Sequence, residues 1–261
     1  MSVVKELVKL GDRILKYRHE MKYVIGESKA AAVERFIQPY LGLDHYCKGR
    51  PNGAYPLVSL YLDSDNLQLC RESLEGHKNR FKLRIRSYTD KLDYPRFFEI
   101  KRRLNTIIIK SRARVMHGDI PTLLSGISSP QQNDNTDEEV LKQFQLYMNS
   151  IGAVPVVRIR YMRRAYESDS PNRVRITFDR QLAYSITSTA NVSLDGRGWQ
   201  RHSLFLGGDV ILEIKFTGRY PVWLSQMVEC FNLQQQSMSK YATSIKNACF
   251  LRFCGPKLSM W

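Results

Sequence analysis

No run approaches the roughly 18–20 apolar residues that span a bilayer, because Arg or Lys interrupts nearly every apolar stretch of the 261-residue chain. The opening MSVVKELVKLGDRILKYRHE has neither the apolar core nor the small-residue cleavage site of a signal peptide, so a soluble, cytoplasmic chain is expected. Cysteine is scarce and irregular. Cys47, Cys70, Cys230, Cys249 and Cys254 are odd in number and contain no C-x-x-C, which argues against a disulfide framework and a structural zinc site. The five histidines (19, 45, 77, 117 and 202) are scattered and form no H-E-x-x-H. There is no G-x-x-x-x-G-K-[ST], no G-x-G-x-x-G after a strand and no nucleophile elbow. Zinc-finger, RNP-type and basic-helix modules are missing too, so no specific nucleic-acid partner is expected, although abundant tyrosine leaves base stacking open. Asn191-Val-Ser193 matches a glycosylation acceptor that a non-secreted chain would not use.

Acidic residues are also short: 25 Asp+Glu stand against 40 Lys+Arg, a formal charge of +15. That surplus implies a polyanionic partner, whether nucleic acid, an anionic membrane surface or a phosphate-rich molecule. Hydrophobic residues at 43% and charged residues at 25% exclude a disordered or collagen-like chain.

The dominant period is two. Tyr17–Ile25, Leu57–Asp63, Arg80–Tyr88, Phe97–Leu104, Ile107–Val115, Val154–Arg163, Arg173–Asp179 and Asp209–Phe216 read as strands. Helices are expected over Ser28–Tyr40 with a serine cap, Asp137–Asn149 with an acidic start, Pro221–Phe231, and Ser239–Asn247. A polar, turn-rich loop over 126–137 separates two halves, and Ser168–Asn172 and Asp195–Gly198 read as further loops. The expectation is an α+β chain whose eight antiparallel strands close into a β-barrel with a few flanking helices.

Splitting each strand into its two faces concentrates charge of one sign. Phe81, Leu83 and Ile85 share one face, and Lys82, Arg84 and Arg86 the other. Arg18, Glu20 and Lys22 fall together, as do Glu99, Lys101 and Arg103, Arg173 and Arg175, and Glu213 and Lys215. In the strand around Val157–Arg163, Arg158 and Arg160 share one face while Tyr161 and Arg163 share the other; alternation does not choose between them. A solvated face normally mixes signs. Here only Glu20, Glu99 and Glu213 accompany a dozen cations, which points to a phosphate-lined cavity, the glutamates being what an accompanying divalent metal would need.

Nine segments in order resemble the VTC domain of polyphosphate polymerases, a branch of the triphosphate tunnel metalloenzymes. They are Arg18–Tyr23, Leu60–Asp63, Lys82–Tyr88, Phe98–Arg103, Lys110–Arg112, Arg158–Tyr166, Asn172–Asp179, Leu212–Lys215 and Ser239–Tyr241. The resemblance covers about residues 14–245 and implies one tunnel domain spanning the 261 residues.

It implies a catalytic phosphate lining of Lys22, Arg84, Arg86, Lys101, Arg163, Arg175 and Lys240, with Arg163 chosen over Arg158 and Arg160. Arg18, Tyr161, Arg103, Lys110, Lys215 and Ser239 would bind the phosphate chain beside it. Glu213 would be the metal ligand for Mn²⁺ or Mg²⁺, with Glu20 and Glu99 as the further carboxylates. The implied reaction moves the ATP γ-phosphoryl group onto a growing polyphosphate, so ATP and polyphosphate are the expected partners.

Two features depart from the pattern. Ser237 and Met238 stand where family polymerases tend to carry a basic residue, and Arg18-x-Glu20-x-Lys22 replaces the E-x-E-x-K of tunnel triphosphatases. The second exchange disfavours a two-metal hydrolase. No appended membrane segment or sensor domain is expected. An inorganic triphosphatase of the same fold and a non-catalytic polyphosphate or nucleic-acid binder are the alternatives.

Overall fold

The computed structural model describes residues 18–105, 107–127, 135–168, 173–195, 198–201 and 210–250. The first part runs β1 (Arg18–Ile25), α1 (Glu27–Ile37), β2 (Gly42–Leu43), β3 (Tyr55–Asp63), α2 (Gln68–Leu74), β4 (Asn79–Ser87), β5 (Arg96–Leu104) and β6 (Ile107–Val115). It continues with α3 (Ile120–Leu124), α4 (Asn135–Ser150), β7 (Val154–Glu167), β8 (Arg175–Ile186), β9 (Gln200–Arg201), β10 (Val210–Thr217), α5 (Val222–Cys230) and α6 (Lys240–Phe250). Tyr17, Asp209, much of the 126–137 loop and most of Ser168–Asn172 lie outside the described residues, as does the side chain of Arg18.

The expected closed barrel does not form. Hydrogen-bonded neighbours follow the order β1-β10-β8-β7-β3-β4-β5-β6, with β2 added on β7 and β9 on β8. Among the described residues β1 and β6 are therefore the two ends of an open antiparallel sheet. Alternation fixes which face of a strand is apolar, but closure is a pairing between first and last strands, for which no local signal exists.

The chain packs as two compact units interleaved in sequence. One comprises Met1–Tyr55, Met162–Arg180 and Phe205–Ser237. Its ladder places Met21, Tyr23 and Ile25 opposite Ile214, Leu212 and Val210, and continues from Leu212 and Ile214 to Phe178 and Ile176. That apolar face is covered by Ala30, Val33 and Ile37 of α1 and by Leu224 and Met227 of α5. Burying Val33 and Ile37 completely contributes roughly 1.5–3 kcal/mol each. The expected serine cap of α1 is not the cap. Ser28 lies inside the helix, Gly26 is the N-cap without a side-chain bond, and Glu27 supplies the acidic first turn.

The other unit comprises Pro56–Tyr161, Gln181–Leu204 and Met238–Trp261. Leu60, Leu62, Leu83, Ile85, Phe98, Ile100, Ala113 and Val115 bury one face of β3–β6 against Leu141, Phe144 and Met148 of α4 and Ile120 and Leu123 of α3. The opposite face is left for the polar residues of the same strands. Helix α2 has no capping side chain at its N-cap Leu67; the Ser64 hydroxyl accepts the N–H of Gln68 at 3.1 Å, and Asp63 accepts those of Leu69 and Cys70, each at 2.9 Å. β7 and β8 run longer than expected, to Glu167 and Ile186. β7 is extended by pairing with β2, and β8 passes through Gln181 at a positive φ of 53°.

Candidate functional site

On the polar face of β4–β6, register converts scattered residues into rows. Arg86 lies opposite Phe97, which faces Arg114; Arg84 lies opposite Glu99, which faces Arg112. The next row is Lys82, Lys101 and Lys110, and beyond it Arg80 lies opposite Arg103. On these three strands Glu99 is the one acid of that face, and it is fully buried. Arg84 Nε donates to its Oε2 at 2.6 Å, and Arg86 Nη1 approaches the same oxygen at 3.8 Å. Arg112 Nη2 and Lys110 Nζ lie 2.7 and 3.0 Å from Oε1. Burial opposes ionisation of Glu99, but Arg84, Arg86, Lys110 and Arg112 outweigh it and hold its carboxyl well below the usual range. The converse appears at Lys110, whose ammonium is pushed down to about 7 by burial, against the pull of Glu99 and with the push of Arg84, Arg86 and Arg112.

A second layer pins this face to α6. Arg84 Nη1 donates to the Tyr61 hydroxyl at 3.2 Å, and the Tyr61 ring stacks on Tyr241 with centroids 4.9 Å apart. The Tyr241 hydroxyl in turn donates to Asp63 Oδ2. Burial would raise the Tyr61 phenol, yet Arg84 and Arg86 bring it below its ordinary value. Ser239 caps α6, its Oγ accepting from Ala242 N–H at 3.3 Å and from Lys82 Nζ at 2.8 Å. Lys240 opens the helix with its ammonium 4.9 Å from the centroid of the Tyr161 ring. Thus Arg84, Arg86, Lys101, Lys110, Arg103, Tyr161, Ser239 and Lys240 all belong to this unit. Arg158 and Arg160, on the other face of β7, flank the indole of Trp199 at 4.6 and 4.5 Å.

The other unit holds Glu20, Lys22, Arg163, Arg175, Glu213 and Lys215. Glu20, Lys215 and Arg175 form one row, and Lys22, Glu213 and Thr177 the next. Lys22 Nζ is 2.8 Å from Glu20, and Lys215 Nζ is 3.2 Å from Glu213. Arg163 grips the fully buried Asp179 with two bonds of 2.7 and 2.8 Å and stands 3.9 Å from Glu213. Arg175 is paired with Asp44 and, at 2.6 Å, with Glu167. The single-sign lining inferred from alternation is therefore corrected here: Asp44, Glu167 and Asp179 bring acid to cations that seemed unaccompanied. Beside this ladder lies a concavity of about 480 Å³ bordered by Glu167, Arg173, Arg175, Lys215 and Phe216.

The three glutamates expected near a metal divide. Glu99 is enclosed by four cations, an environment that repels a metal ion and leaves no oxygen for one. Glu20 and Glu213 are diagonal neighbours on one face of β1 and β10. A hard divalent cation that takes one or two carboxylates and completes its shell with phosphate oxygens and water fits that pair. Among the described residues no group of three or more His, Cys, Asp or Glu is placed to cage a metal.

Sequence reasoning assigned no role to Tyr61, Arg112 or Asp63, although all three stood in the quoted segments. Alternation puts Tyr61 and Asp63 on one face of β3, but that Tyr61 meets Arg84 and Arg112 meets Glu99 is a matter of register.

The site is thus a registered cationic face on an open antiparallel sheet. The VTC domain family model matches residues 17–249, and the chain belongs to that family. No curated relative matches it. Among solved structures it is similar to a Bacillus halodurans protein described as a putative adenylate cyclase, at 14% identity and a TM-score of 0.46, covering 84% of this chain and 92% of that one. A Pyrococcus horikoshii protein matches at 12% identity and a TM-score of 0.44, covering 89% and 99%. A Hippeastrum protein, described as a putative adenylyl cyclase with a dominant triphosphatase activity, matches at 12% identity and a TM-score of 0.47, covering 87% and 95%. Among the described residues no helix is long and apolar enough to cross a membrane.

Proposed function

We propose that the chain transfers the γ-phosphoryl group of ATP to the end of an inorganic polyphosphate. The observation that carries this reading is the face of β4–β6, where rows of Arg and Lys surround a single carboxylate whose charge is already spent on four of them. Such a face favours an anion of high charge density. In the transfer, a terminal oxygen of the acceptor chain bonds to the γ-phosphorus as the bond to the bridging β–γ oxygen breaks, and ADP leaves with that electron pair. The transition state is loose, and catalysis consists mainly of positioning and charge stabilisation.

Arg84, fixed by Glu99 and Tyr61, and Arg86 hold phosphate oxygens as planar forks, while Lys101 and Lys240 supply point charges. The acceptor is already anionic near neutral pH, so the reaction needs no strong base. Within their own unit, Glu20 and Glu213 would hold Mn²⁺ or Mg²⁺, a metal that supplies Lewis-acid charge to phosphate oxygens. Lys22 and Lys215 pair with those carboxylates and hold them in place.

The test is incubation of the protein with ATP and Mn²⁺, followed by gel separation of long phosphate chains from orthophosphate. Chains are expected, and Arg84→Ala should slow their formation by about 100-fold or more. Release of orthophosphate from tripolyphosphate without polymer would replace this reading with a triphosphatase, and tight polyphosphate binding without turnover would replace it with a binding protein.

A further inference from the structure

The two rows farthest from Arg86 on the face of β4–β6 contain no acid. Lys82, Lys101 and Lys110 are register neighbours across three strands, and one step on Arg80 lies directly opposite Arg103. Like charges placed opposite each other on paired strands destabilise the pair. The bonds on the two arginines leave their charge intact: Arg80 Nη1 donates to the His77 carbonyl, and Arg103 Nε to the Asn105 carbonyl at 2.8 Å. Arg80 is half-buried, and its guanidinium is pushed down by burial and then by the charge of Arg103, which together outweigh the pull of Glu72 on the neighbouring helix. Arg103 itself is exposed.

Residues two apart on one strand face are about 6.7 Å apart, so the Arg80–Arg103 row lies about 13 Å from the row of Arg84 and Glu99. Three phosphates anchored at Arg84 end short of it. A longer linear phosphate chain, passing over the lysine row, reaches it.

We propose that Arg80 and Arg103 form a distal subsite for linear polyphosphate, one that discriminates long chains from tripolyphosphate and nucleoside triphosphates. The proposal rests on the phosphate-chain reading above and adds the residues that sense chain length. The two guanidiniums take oxygens of phosphates remote from the reacting end, and the flanking carbonyls keep them facing each other.

The test compares equilibrium binding of tripolyphosphate and of long-chain polyphosphate by the wild type, Arg80→Ala/Arg103→Ala, the exposed single variant Arg103→Ala, and Arg80→Lys/Arg103→Lys. The double alanine variant should lose about tenfold in affinity for the long chain, by removal of two phosphate contacts. Its affinity for tripolyphosphate should stay unchanged, the single variant should show part of the selective loss, and the lysine variant should recover most of it. Should the double variant fail to fold, the exposed Arg103→Ala decides by the same selective loss. Equal losses for both ligands, or no loss for either, overturn the distal subsite while leaving the phosphate-chain reading standing. A wild type that binds neither ligand overturns both.

Discussion

Glu99 is the residue on which the cationic face is organised. Removing its charge leaves Arg84, Arg86, Lys110 and Arg112 without their common partner in a buried setting. Glu99→Gln is expected to lower the free energy of unfolding by about 3–5 kcal/mol, measured by urea titration at neutral pH. The carboxyl is held below its usual range, so its contribution is present above the ordinary glutamate pKa and is lost as the pH falls below it. Lys110 titrates with the same sign for stability, in a higher pH window. Its pKa is about 7 against an ordinary 10.5, so between those values the unfolded chain holds a proton that the folded chain lacks. Stability therefore rises with pH across that window on account of this group. Polyanion binding should instead weaken as Lys110 loses its charge. In affinity profiles from pH 6 to 8, Lys110→Arg should fall less steeply than the wild type; parallel profiles would remove Lys110 from the site.

At the scale of elements, strand identity was legible because Phe81–Arg86 and Glu213–Phe216 alternate strictly. What alternation could not supply was pairing: that Arg84 faces Glu99 and Tyr61, or that Lys22 faces Glu213, follows from register alone. Helix α2 was illegible for a similar reason, since the side chains that cap it, Asp63 and Ser64, belong to the end of β3 and the residue after it. The start of α6 was readable from Ser239, which now has two tasks, capping the helix and accepting from Lys82. Ser239→Ala should cost about 1 kcal/mol of stability in a thermal melt. It should also weaken phosphate binding, because Lys240 and Tyr241 occupy the first turn that the cap fixes. A variant of ordinary stability and affinity would show that α6 is held by Tyr241 and Asp63 instead.

On the scale of the whole chain, a charge of +15 drew attention to a polyanion, yet it overstated how evenly the cations are used. In the unit of β1 and β10 they are interleaved with Asp44, Glu167, Asp179, Glu20 and Glu213, two of which, Asp44 and Glu167, come from outside the strands as first drawn. In the unit of β4–β6 the surplus remains. Closure into a barrel was inferred from strand number and family resemblance, and the open order from β1 to β6 shows how little strand count says about the last pairing. Because Arg and Lys of the β4–β6 face displace the cations condensed on a phosphate chain, affinity for polyphosphate should fall by about 100-fold between low and physiological salt.

The most direct measurement is diffraction from crystals grown with tripolyphosphate. The account predicts phosphate oxygens within hydrogen-bonding distance of Arg84, Arg86 and Lys101, with Glu99 still enclosed by its cations. A bare β4–β6 face, with the ligand bound elsewhere on the molecule, would contradict it.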